Sequence, residues 1–246
     1  VSKEFLSGLM EFENKSNLII LSDGSESDIK TINTALKTEW SLDDAGIKLS
    51  ALENRKEINV SSERVFIDDA ISEVLKSIPS LKFPVLSYFV NSIISDKGST
   101  PYSFVSTIPD NSLEENEVIV NDWLAKDLNI SAGDRLNMEY FVVGPLRALK
   151  EDSVELNVKA VVPIEGYYAD KNLMPYLPGM SDAGSCSEWE SGVPIDLQSI
   201  RDKDEDYWNK WKGTPKAFIS YPLANQLWNN RFGSYTALDR KSTRLN

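Results

Sequence analysis

A chain of 246 residues, 41% hydrophobic and 26% charged, is long enough for one large domain or two small ones and can bury a core. Its net charge of −12 sets it against phosphate backbones, so nucleic acid is not an expected partner, and against docking on anionic lipid through a basic face. The absence of histidine removes the commonest general base, the commonest zinc ligand and any Ser-His-Asp triad, and the single Cys186 excludes an internal disulfide. At the N terminus, VSKEFLSGLMEFENKS lacks the basic and long apolar regions of a signal peptide. No run of about 18 apolar residues follows anywhere, so nothing here is expected to span a bilayer as a helix. The chain does not begin with Met and reads as a piece of something longer.

Residues 17–21, NLIIL, are a short strand candidate before the turn-like SDGSESD. Ser27 or Asp28 is placed to cap a helix carrying Ile29, Ile32, Leu36 and Trp40 at helical spacing. Residues 47–52 and 57–61 alternate and read as strands, with a third short strand over 64–67. Asp68 opens a helix through Ile71, Val74 and Leu75 that stops before Pro79. Residues 85–94 and 103–108 read as strands around a turn at 98–101. Residues 117–120 are a strand, Asn121 or Asp122 caps a short helix over Trp123, Leu124 and Leu128, and Asn129 is its exit. SAGD at 131–134 is a turn, with Gly133 free to take positive φ. Strands over 136–143 and 154–162 follow, joined by a polar loop at 150–153.

Residues 163–213 change character: Pro, Gly, Trp and Asp crowd together and periodicity fails. The aromatic content predicts a packed, irregular excursion with a short helix over 205–211. Residues 216–220 are a strand, 222–228 a helix with Pro222 in its first turn, and 235–238 a strand. The two ends resemble each other: VSKEFLSGL at 1–9 aligns with ISYPLANQL at 219–227, matching Ser2 with Ser220, Phe5 with Leu223 and Leu9 with Leu227. Such a repeat places the start of the chain at the tail of one structural unit and its end at the tail of a second.

The stretch EVIVNDWLAKDLNISAGDRLNMEYFVVG, continued by VELNVKAVVPIEG, resembles the core of extracytoplasmic domains in MacB/FtsX-type ABC transporter permeases. TPKAFISYPLANQLWNNRFGSYTAL resembles the strand–helix–strand end of those domains, and NLMPYLPG and RDKDEDYWNKWKG resemble a large-permease subgroup. The resemblance covers most of the chain, is most specific over 117–166 and 201–238, and is weak over 25–80. It implies a mixed α/β, α+β fold of two small subdomains with mixed sheets. Residues 25–110 and 214–238 would form a membrane-proximal subdomain, 111–213 a distal one with the excursion at 163–213, and 1–24 the tail of a preceding unit. Residues 239–246, ending KSTRLN, depart from the pattern and read as a non-native or disordered tail.

The resemblance also implies a function. Such a domain sits outside the cytoplasmic membrane and transmits the motion of a cytoplasmic ATPase to a partner or substrate, within a permease dimer and with a periplasmic or outer-membrane partner. ATP belongs to the separate ATPase subunit; this chain has no phosphate loop, no cofactor site and no catalytic residue is expected in it. Trp189, Trp208, Trp211 and Trp228 are the candidate partner or substrate surface, against the ordinary expectation that such residues pack a core. DKDED at 202–206 imitates the start of a calcium loop, but Tyr207 and Gly213 stand where Gly and Glu are needed, so a solvated helix start is the simpler reading. Ser99 and Ser103 lack a histidine partner for nucleophilic work. A standalone hydrolase-like or binding α/β protein is the alternative.

Overall fold

The structure is a computed structural model and describes residues 2–9, 24–52, 57–78, 83–109, 112–144, 148–190 and 192–239. The strand expected over 17–21 and the tail 240–246 lie outside the described residues. The chain divides into two compact units, 1–44 and 45–246.

The first unit holds α1 (Lys3–Leu9) and α2 (Glu26–Glu39). The cap of α2 is Ser25, not Ser27 or Asp28. Asp28 is the reciprocal partner: Ser25 Oγ accepts from Asp28 N–H at 3.3 Å and Asp28 Oδ2 accepts from Ser25 N–H at 2.8 Å. No residue of α2 is buried, and Ile29, Leu36 and Trp40 expose one apolar stripe.

The second unit is α+β. Its antiparallel sheet has the order β1-β2-β10-β3, from β1 (Ile47–Leu52), β2 (Glu57–Ser62), β3 (Phe83–Val85) and β10 (Ala237–Asp239). Residues 64–67 are not a strand: Val65 takes φ +70° and only Ile67 bridges, to Tyr235. α3 (Asp69–Lys76), capped by Asp68, packs Ile71 and Leu75 against Ile47, Val60 and Leu238.

The remaining strands close into a six-stranded barrel, β4-β5-β9-β6-β8-β7. They are β4 (Tyr88–Ser95), β5 (Gly98–Thr107), β6 (Glu117–Asn121), β7 (Arg135–Val143), β8 (Leu149–Val162) and β9 (Ala217–Ile219). Four neighbouring pairs are antiparallel; β5/β9 and β6/β8 are parallel, so the sheet is mixed. Parallel neighbours need long crossovers. Between β6 and β8 the crossover is α4 (Asp122–Leu128), a turn and β7; between β5 and β9 it runs through all of 108–216. The barrel thus draws strands from both segments into which the sequence divides the chain. Its interior is apolar: Val90, Ile93, Val105, Val120, Leu124, Leu128, Leu156 and Ile219 are fully buried, or nearly so.

Two turns fall elsewhere than their composition suggests. The turn between β4 and β5 is at 96–97, and Gly98–Pro101 belongs to β5. Pro101 is tolerated there because β9 pairs only with Val105–Thr107, which leaves that side of β5 without a ladder to interrupt. Residues 150–153, expected as a loop, pair with 139–142 of β7. Their polarity reflects the exposure of this run of β8, while the facing Tyr140 of β7 is buried in the core; the ladder itself is unbroken.

The crossover after β6 follows its local signals closely. Asn121 Oδ1 accepts from Leu124 N–H at 2.8 Å and caps α4. Asn129 ends it at φ +50°, the left-handed exit. Gly133, at φ +93°, donates its N–H to Val158 O at 2.7 Å, and Asp134 Oδ2 accepts from Ser131 N–H at 2.9 Å to close the turn. α5 (Asp202–Trp211) and α6 (Tyr221–Trp228) complete the unit, with four short 3-10 turns between β8 and α5. At the aligned ends the local conformation is alike: Ser2 Oγ accepts from Phe5 N–H at 3.2 Å, as Ser220 Oγ does from Leu223 N–H at 3.3 Å.

Candidate functional site

The most heavily built polar region lies where α5 meets α4 and β5. Arg201 is the residue before α5, and Asp204 reaches back to it: Asp204 Oδ2 accepts from Arg201 Nε at 2.6 Å and Oδ1 from Nη2 at 2.8 Å. The same Nη2 donates to Asp127 Oδ2 of α4 at 2.7 Å, and Nη1 to the carbonyl of Ser99 at 2.8 Å. Thr100 Oγ1 donates to Asp127 Oδ2 at 2.5 Å, and Lys203 pairs with the other oxygen of Asp127. One guanidinium therefore ties three elements together. Burial pushes the Asp127 carboxyl up, but the hydrogen bonds from Lys203, Thr100 and Arg201 outweigh it and hold the group below its ordinary range.

Lys216, just before β9, sits deeper. Its Nζ lies 3.6 Å from Asp204 Oδ1, 4.4 Å from the centre of the Trp123 ring and 4.9 Å from that of Tyr207. Burial depresses the amine to about 8, against the upward pull of Asp204. Tyr207 donates its O–H to Thr214 O at 3.1 Å and accepts from Asn121 Nδ2 at 3.0 Å; burial lifts its phenol far above the ordinary value. Asn121, the cap of α4, thereby links the crossover to this region.

The four tryptophans are not one surface. Trp189 and Trp208 meet edge to face at 5.0 Å, in a cluster with Phe104, Met180 and Cys186. Trp211 is half-buried at the end of α5, with Lys210 Nζ 4.9 Å over its ring. Trp228 lies in the barrel core, stacked on Tyr88 at 4.9 Å. Between Trp189, Trp208, Tyr102, Phe104, Cys186, Asp204, Tyr207 and Lys216 is a cavity of about 20 Å³. Two left-handed residues line it, Tyr102 at φ +37° and Lys212 at φ +51°, a conformation that costs energy and clusters at functional sites. Burial and the nearby Glu205 push the Cys186 thiol far up, so it is an inert core group.

Of the other sequence candidates, Ser99 is exposed and offers its carbonyl to Arg201. Ser103 is buried on the cavity wall, with its hydroxyl toward Pro101 O at 3.5 Å. In DKDED, Asp204 is not solvated: it is buried against Arg201 and Lys216. Among the described residues, no group of three acidic or cysteine side chains is placed to hold a metal ion. The sequence reading missed Asp127, Arg201, Tyr207 and Lys216. The signal for Lys216 was present: a lone lysine between Pro215 and the apolar AFI of a strand.

No family model matches the chain, and no curated protein matches it. Among solved structures, a domain from a protein assigned as a permease in Porphyromonas gingivalis is similar over 74% of this chain and 63% of that chain, with 13% identity and a TM-score of 0.31. Likeness of that degree assigns no activity, and this chain spans under two thirds of that structure.

Proposed function

We propose that the chain is an extracytoplasmic domain of an FtsX-like ABC transporter permease. It is a non-catalytic module that couples motion driven by a cytoplasmic ATPase subunit to a partner or substrate outside the membrane. The observation that supports this best is the role of the residues that carry the resemblance. Asn121 caps, Leu124 and Leu128 fill the barrel, Gly133 and Asp134 make the turn, and the strands on either side close a ring. Each serves rigidity, and a body that transmits force needs rigidity more than reactive groups. No helix among the described residues is long and apolar enough to cross a membrane, so the reading places the membrane helices outside them. ATP is then the partner subunit's ligand, and a permease dimer with a periplasmic or outer-membrane partner completes the assembly.

The test is topological. Glu155 is exposed on β8 and Cys186 is buried, so Glu155→Cys adds an accessible thiol to this domain, and the same labelling of the unaltered protein sets the background. In the full-length protein in intact spheroplasts, a membrane-impermeant maleimide should label this thiol from outside, and the ATPase subunit should co-purify. Labelling only after lysis overturns the reading. The hydrolase alternative has one observation in its favour: Ser103 and Lys216 line the same cavity. Ester or peptide turnover that Ser103→Ala abolishes would establish it instead.

A further inference from the structure

Three buried residues with hydrogen-bond donors line the cavity beside α5, two of them with no acceptor and the third held only by a long ion pair. The indole N–H groups of Trp189 and Trp208 are buried with no partner among the described residues. Lys216 is buried too, and its nearest carboxylate oxygen stands 3.6 Å away. That is beyond the roughly 2.7–2.9 Å of a charge-assisted hydrogen bond. Arg201 already holds both oxygens of Asp204, at 2.6 and 2.8 Å. The other polar side chains on the wall are engaged. Tyr207 is bound to Thr214 O and Asn121, Thr214 Oγ1 donates to Trp211 O at 2.6 Å, and Ser103 faces Pro101 O. Buried donors without partners are rare in folded proteins, and here two belong to residues on one wall beside a weakly paired ammonium.

We propose that this cavity binds a small monocarboxylate anion of the size of formate, with the Lys216 ammonium as counter-charge and the indole N–H groups of Trp189 and Trp208 as donors. Size sets the class. A cavity of about 20 Å³ exceeds the roughly 10–15 Å³ that one water needs and leaves no room for a sugar or a nucleotide. Charge sets the sign. Arg201 and Lys203 balance Asp204 and Asp127, so Lys216 on the wall and Lys212 at the rim stand against Glu205 alone and leave one positive charge in excess. Hydrogen bonding sets the geometry. A water brings two hydrogens that need acceptors, whereas a carboxylate brings only acceptors, and its two oxygens can meet donors arriving from separate elements. This inference needs only the cavity and stands apart from the transporter reading.

The test uses proton–nitrogen NMR spectra of the whole chain with the indole resonances assigned. Sodium formate is titrated in at an ionic strength held by sodium gluconate, a carboxylate too large for the cavity. Trp189 and Trp208 should shift downfield and saturate. Trp228 is the internal control, since its N–H is as buried and as unpartnered but lies in the barrel core, and it should not move. Lys216→Met should weaken binding about thirtyfold or more, the loss expected when one partner of a buried charged hydrogen bond is truncated. A second arm needs no variant: raising the pH through about 8 discharges Lys216 and should weaken formate binding in the unaltered protein. The absence of a saturable shift, an equal shift at Trp228, or binding indifferent to both the substitution and pH would overturn the proposal. Chloride binding as tightly as formate would overturn the assignment to a carboxylate.

Discussion

Residues 117–162 and 163–213 lie side by side in the chain and are held by different means. The first segment is held by its backbone. β7 and β8 run in one continuous ladder, β6 pairs with β8 across a single register shift at Val118/Ile119, α4 is capped at both ends, and Gly133 is hydrogen-bonded to β8. The second has no strand among its described residues between Pro163 and Gly213; its ordered shape depends on aromatic contacts and on the ion network around Arg201. Ladders and caps fail by degrees, since each bond is one of many. A network focused on one guanidinium has a single point of failure.

The largest expected effect tests the backbone-held segment. Leu124 is fully buried under the barrel, so Leu124→Ala should cost about 2–5 kcal/mol in urea unfolding, and hydrogen exchange should rise across all six barrel strands. Next is Arg201→Met, which strands Asp127 and Asp204 as buried, partly uncompensated charges; about 3 kcal/mol is expected, at the low end for a broken buried pair because Arg201 is itself about one-third exposed. Here the readout must be local. Amides of 202–211 should lose protection while those of 117–162 keep it. Equal loss in both segments would erase the contrast between them.

A third prediction concerns pH. The folded amine of Lys216 lies at about 8, below its ordinary 10.5, because burial disfavours the charge. The unfolded chain therefore binds more protons between those values, and stability should rise with pH across that window, by about 2 kcal/mol from pH 8 to 10. Above 10 two tyrosines act oppositely: burial lifts the phenols of Tyr207 and half-buried Tyr221, so stability falls as the unfolded phenols ionise while the folded ones keep their protons. Lys216→Met should flatten the rise.

Smaller effects sharpen the comparison at two glycines. Gly133 and Gly179 both have positive φ, at +93° and +76°. A Cβ at Gly133 meets open space, so Gly133→Ala should cost only the backbone strain, about 1–2 kcal/mol. A Cβ at Gly179 would collide with the Glu190 carbonyl, so Gly179→Ala should lower the melting temperature further. Asp134→Ala, in an exposed turn, should cost about 1 kcal/mol and leave any transport activity intact.

These differences explain what could be read in advance. The cap at Asn121, the exit at Asn129, the turn at Gly133 and the helices after Asp68 and Ser220 are written within a few residues of where they act. The mixed α+β class, which the resemblance implied, is the class observed. Barrel closure was not legible, because β5 pairs with a three-residue strand more than 100 positions away, and AFI carries no mark of its neighbours. The Arg201–Asp127 contact spans 74 positions, and nothing in RDKDED says which charge turns inward. The turn at 98–101 and the loop at 150–153 were misplaced because Gly, Pro and charge mark turns only where no ladder claims the backbone.

The position of β9 matters for the order of synthesis. It is the staple between β5 and β6, and it leaves the ribosome after everything from 88 to 216. Until then those two strands present unpaired edges, the kind that recruit another chain. A nascent or truncated chain ending near 213 therefore carries an open sheet, and three residues, Ala217 to Ile219, convert it from a sticky intermediate into a ring with no free edge.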